Sequence, residues 1–74
     1  MNNVLLLGSG KIGAIITELL TSCGDYHVTV ADMSAENLAR LGEHKNLTTL
    51  VLDVTDKQAL DKALEGKFAA LSAC

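Results

Sequence analysis

The chain has 74 residues, 49% of them hydrophobic, with a formal net charge of -3 and an isoelectric point near 5.1. A chain this short holds one domain and buries only roughly 60% of its unfolded surface. With only 20% charged residues it is not disordered. Six Lys and Arg against nine Asp and Glu leave no basic field for a nucleic-acid backbone, so no nucleic-acid partner is expected.

The apolar runs Val4 to Leu7 and Phe68 to Leu71 are too short to cross a bilayer. The N-terminus lacks the basic region and apolar length of a signal peptide. No membrane partner is expected, and the cytoplasm is the expected location. Cys23 and Cys74 make no disulfide framework, and no Cys/His cluster suggests a metal site.

Val4-Leu5-Leu6-Leu7, closed by Gly8, reads as a strand buried on both faces. Ile12, Ile15, Ile16, Leu19 and Leu20 then recur at helical spacing. They predict an amphipathic helix with Thr17, Glu18, Thr21 and Ser22 outward, ended by Gly24-Asp25. His27 to Ala31 is a second strand ending at Asp32. Ser34 is a candidate N-cap for a short helix through Leu38 and Leu41, stopped by Gly42.

Leu47 to Leu52 is a third strand. Thr55-Asp56-Lys57-Gln58 is a capping box, with Thr55 as cap, opening a helix with Ala59, Leu60, Ala63 and Leu64 on one face and its stop at Gly66. Phe68 to Cys74 is a fourth strand. Strands joined by helical crossovers make an α/β fold with a doubly wound parallel sheet. Right-handed crossovers with one reversal give strand order 3-2-1-4: the first βαβαβ half of a Rossmann-like domain plus a fourth strand. Because the apolar strand runs to the last residue, residues 1–74 are expected to be a dinucleotide-binding domain cut from the N-terminal part of a longer protein.

The candidate chemistry lies at the strand ends. Gly8-Ser9-Gly10-Lys11-Ile12-Gly13 is G-x-G-x-x-G between a strand and a helix. Gly8 allows the tight turn, Gly10 lets a pyrophosphate approach the backbone, and Gly13 lets the helix pack closely on the sheet. The helix N-terminus presents N–H groups and partial positive charge to the phosphates. Asp32 closes the second strand nineteen residues after Gly13, where a carboxylate accepts from the adenosine ribose hydroxyls.

Walker A phosphate binding is excluded, because Ile12 follows Lys11 where Ser or Thr is needed. Lys11 reads as a solvated first-turn residue that can add charge near phosphate. Asp53-Val54 follows the third strand. There Asp53 either accepts from the adenine amino group, with Val54 on the ring, or only terminates the strand. Ser72, with Ala73 and Cys74, puts small residues where the cofactor passes toward the nicotinamide ribose. Cys74 itself reads as a small buried hydrophobe.

The segments Leu-Leu-Leu-Gly-Ser-Gly-Lys-Ile-Gly, Val-Thr-Val-Ala-Asp, Leu-Asp-Val-Thr-Asp and Leu-Ser-Ala-Cys together resemble the N-terminal domain of the saccharopine dehydrogenase-like family. The resemblance implies an NAD(P)-dependent oxidoreductase acting on a carbon–nitrogen bond of a small amino-acid-derived substrate. By position it puts Gly8, Gly10, Ile12 and Gly13 at the pyrophosphate, Asp32 at the ribose, and Asp53 and Val54 at the adenine. Many NADP-using members carry an Arg after the second strand. Here Asp32-Met33-Ser34 stands instead, so NAD is expected as the cofactor and NADP is disfavoured.

Two other readings share the half-fold. A nucleotide-sensing module of a channel or transporter typically carries Gly-Asp after the third strand, where this chain has Leu52-Asp53. A short-chain reductase or epimerase spaces its glycines as G-x-x-G-x-x-G, unlike Gly8, Gly10 and Gly13. The uncharged fourth strand is also expected to favour a homo-oligomer.

Overall fold

The computed structural model describes residues 2–8 and 10–72. In chain order these are β1 (Asn2–Leu7), α1 (Lys11–Cys23), β2 (Tyr26–Asp32), α2 (Ala35–Ala39), β3 (Leu47–Val51), α3 (Lys57–Leu64) and β4 (Ala69–Ser72). The four strands form one parallel sheet in the order β3-β2-β1-β4, as the crossover rules predict. Val4 lies opposite both Val28 and Ala69, and Leu7 lies opposite both Ala31 and Ser72.

Strands buried on both faces explain the unbroken apolar run of β1. Leu6, Val28 and Val30 pack with Leu38 of α2, and Ile16 and Leu20 of α1 close over them. On the opposite face Leu5, Ala31 and Leu52 pack with Ala59, Leu60 and Ala63 of α3. The helices α1 and α2 thus cover one face and α3 the other, which is the doubly wound arrangement.

The apolar face expected for α1 holds at Ile16 and Leu20, which pack on the core, and is corrected elsewhere. Ile12, Ile15 and Leu19 are 65%, 59% and 63% exposed, while Gly13, Thr17 and Thr21 are buried. The face with Gly13 can approach the sheet closely, and Thr17 and Thr21 lie on that same face one and two turns later. Their hydroxyls do not enter the core unpaired. Thr17 Oγ1 donates to the Gly13 carbonyl at 2.7 Å and Thr21 Oγ1 to the Thr17 carbonyl at 2.8 Å. A threonine that bonds back along its own helix can be buried at little cost.

The capping box is corrected as well. Asp56, not Thr55, caps α3, its Oδ1 accepting from the Ala59 N–H at 3.2 Å. Thr55 turns the other way, toward Asp53. Ser34 caps α2 as expected, but the helix ends at Ala39, short of Leu41. Gly24 ends α1 in the left-handed conformation, φ 77°. In β4, Phe68 pairs just ahead of the strand, its N–H donating to the Asn3 carbonyl at 2.7 Å. The expected continuation through Ala73 and Cys74 lies outside the described residues. No helix among the described residues is long and apolar enough to cross a membrane.

Candidate functional site

The carboxyl ends of β1, β2 and β3 finish side by side, at Leu7, Asp32 and Val51. Gly8 leaves β1 with φ 94°, a conformation that an L side chain rarely adopts. Its N–H donates to the Ala31 carbonyl at 2.8 Å, tying the turn to β2. Ser9, placed in the phosphate turn by the sequence, lies outside the described residues. Gly10 is the N-cap of α1, with φ -61° and ψ -165°.

The N-cap Gly10 has no side chain to cap α1 with, and the first turn of the helix carries no acidic residue. A Cβ built on Gly10 would meet nothing within 4 Å. The protein's own packing and backbone therefore do not require glycine there; a ligand approaching the helix N-terminus would. Gly13, one turn on, is buried against the sheet. Lys11 and Ile12 are both exposed beside it.

A cavity of about 160 Å³ opens at the same edge, lined by Gly8, Ala31, Asp32, Met33, Leu52 and Val54. The fold thus brings together four predicted residues, Gly8, Asp32, Met33 and Val54. It adds Ala31 and Leu52, which the sequence reading passed over. Their signal was present: each is the apolar residue immediately before a strand-ending aspartate. Larger hollows lie around Gly42 to Leu47 and around Asn2, Gly24, Asp25 and Tyr26, away from the glycine turn.

Asp32 is half-buried, and its Oδ1 accepts from the Ser34 N–H at 2.9 Å. Its backbone carbonyl accepts from the Leu52 N–H at 2.9 Å, joining β2 to the floor of the cavity. Met33 is exposed at the rim. Asp53 does not line the cavity. Its Oδ1 accepts from the Thr55 hydroxyl at 2.6 Å and from the Thr55 N–H at 2.9 Å. Those bonds, the hydroxyl first, hold its carboxyl below the usual aspartate range. The resulting turn presents Val54 to the cavity. Ser72 is exposed at the end of β4, opposite Leu7 and so beside the glycine turn, but outside the cavity lining.

Residues 4–74 match the family described as saccharopine dehydrogenase NADP binding domain. Saccharopine dehydrogenase (NADP(+), L-glutamate-forming) of Saccharomyces cerevisiae is 39% identical over 70 residues, covering 95% of this chain and 16% of the yeast enzyme. The solved structure of the apo, histidine-tagged yeast saccharopine dehydrogenase (L-Glu forming) superposes with a TM-score of 0.88 at 36% identity. It covers all of this chain and 17% of the yeast chain. The chain thus spans about one-sixth of the length of these relatives. The expected preference for NAD over NADP finds no support here, since the family description and the yeast enzyme's name both specify NADP. A match over residues 4–74 means that the chain belongs to the saccharopine dehydrogenase NADP-binding-domain family.

Proposed function

We propose that residues 1–74 form the dinucleotide-binding domain of an oxidoreductase and hold the ADP half of a nicotinamide cofactor. The observation that carries this reading is the N-terminus of α1, which opens on Gly10 beside an apolar cavity rimmed by the Asp32 carboxylate. Helix N–H groups at Ile12 and Gly13 meet the pyrophosphate, Gly8 and Gly10 let it approach, and Lys11 adds positive charge nearby. Adenine packs among Met33, Leu52 and Val54, with Asp53 beside it, and Asp32 accepts from the ribose. Ser72 leaves room for the chain of the cofactor to pass on toward the nicotinamide.

The nicotinamide, when bound, exchanges a hydride with a substrate carbon. By family the substrate is a small amino-acid adduct reacting at a C–N bond, and NADP is the cofactor that the family description names. No residue of 1–74 is assigned a catalytic role. A cytoplasmic location and self-association through the open edge of β4 belong to the same reading. The family match does not favour a channel-gating sensor or a short-chain reductase.

Calorimetric titration with ADP-ribose tests the proposal. Binding that is lost in Gly10→Asp supports it. A folded protein that takes up no ADP-ribose at millimolar concentration would sink it.

A further inference from the structure

The proposed dinucleotide site is poorly built for the phosphate that distinguishes NADP. A 2′-phosphate lies where the second strand ends, and enzymes that accept it place an Arg nearby. Here that corner holds Asp32, half-buried and fixed in orientation by the Ser34 N–H at 2.9 Å. Met33 follows it, 65% exposed, and Glu36 stands in the first turn of α2. No Lys or Arg lines the cavity. Lys11 and Lys57 begin α1 and α3 at the same sheet edge, but neither is among the lining residues, and Arg40 sits at the far end of α2. The residues present fit a pyrophosphate and an apolar ring, and they do not fit a 2′-phosphate.

We infer that this chain, unlike the NADP-named family around it, selects a ribose with a free 2′-hydroxyl, with Asp32 as the selecting residue. The inference rests on the dinucleotide reading above. Its physical basis is twofold. A carboxylate accepts strongly from a hydroxyl. The same carboxylate repels a phosphate in a partly buried site, where screening by water is weak.

Asp32 also shapes the backbone, so the test must separate charge from turn. Asp32→Asn does so, because its amide oxygen can still accept from the Ser34 N–H. The probes are 5′-AMP and 2′,5′-ADP (adenosine 2′,5′-bisphosphate), which differ only by the 2′-phosphate, titrated calorimetrically into the protein. The unaltered protein binds 5′-AMP at least about tenfold tighter than 2′,5′-ADP. Asp32→Asn narrows that ratio, and Met33→Arg, at an exposed position, raises affinity for 2′,5′-ADP about tenfold.

Tighter binding of 2′,5′-ADP by the unaltered protein, above all if Lys11→Ala abolishes it, overturns the inference and places the phosphate on Lys11. A ratio unmoved in both Asp32→Asn and Met33→Arg overturns it too. Failure of both nucleotides to bind overturns the dinucleotide reading itself, a result distinct from either of these.

Discussion

All three helices start at the carboxyl edge of one sheet, yet their first turns are built differently. Ser34 Oγ accepts from the Asn37 N–H at 3.2 Å to open α2, and Asp56 Oδ1 accepts from the Ala59 N–H at 3.2 Å to open α3. The longest helix, α1 with 13 residues, opens on Gly10, an N-cap without a side chain, and has no acidic residue in its first turn. A side-chain cap stabilises a helix by about 1 kcal/mol. The two short helices draw that stabilisation from their N-cap side chains, and the N-cap of the long one supplies none. A cap at α1 would occupy the donors and the positive end of the dipole that an incoming anion needs. Two N-caps therefore serve stability, and on the dinucleotide reading proposed above the third leaves its donors to a ligand.

Giving α1 the cap that the others have makes the largest expected change. At Gly10 the backbone is unstrained for an L residue and a Cβ has open space, so Gly10→Asp should fold. Its stability should rise by a few tenths of a kcal/mol. Affinity for ADP-ribose should fall about a hundredfold, through charge repulsion and loss of the donors. Denaturant unfolding and calorimetry on the same sample read both effects. A variant that gains stability and still binds would break the comparison.

The reverse change sharpens it. Asp56→Ala removes the cap of α3 and should cost about 1 kcal/mol of stability. Nucleotide affinity should hold, because Asp56 does not line the cavity. Equal losses of stability and binding would mean that the two first turns are not separate devices.

The topology was legible in the sequence because it depends on coarse signals. Four apolar runs separated by helical spacing leave few ways to connect a parallel sheet, and order 3-2-1-4 follows from handedness. The edge of the site was legible for the same reason: a strand that ends in Gly8 or Asp32 announces where the carboxyl edge lies. The inward face of α1 was legible only in part. Counting apolar residues chose Ile16 and Leu20 correctly but added Ile12, Ile15 and Leu19, because helix–sheet contact is set by closest approach at Gly13, which no hydropathy count weighs. Back-bonded hydroxyls then let Thr17 and Thr21 enter the core. The third-strand loop failed differently. Thr55 suits the capping pattern, but Asp53 competes for its hydroxyl and Asp56 takes the cap. Ile15→Lys checks the reassigned face: on the exposed side it should change stability by no more than about 0.5 kcal/mol in denaturant unfolding. A loss of several kcal/mol would return Ile15 to the core.

The smallest effect concerns the turn between the site and the cap of α3. The Asp53 carboxyl titrates below its ordinary value because ionised Asp53 accepts from the Thr55 hydroxyl and, next, the Thr55 N–H. A carboxyl whose folded pKa lies below its unfolded value favours the fold at pH above the unfolded value. That contribution fades as pH falls through the folded pKa. The loss should therefore begin below about pH 4, where an unfolded aspartate starts to take up protons. It should be slight, since the group is exposed and water screens it. Thr55→Val removes the stronger donor and keeps the N–H, so the Asp53 carboxyl should titrate closer to its ordinary value without reaching it. NMR titration of the side-chain carboxyl carbon reads this directly. An Asp53 that titrates normally in the unaltered protein, or that does not respond to Thr55→Val, would detach the turn from the geometry that presents Val54 to the cavity. Asp53 would then be open to the adenine amino group instead.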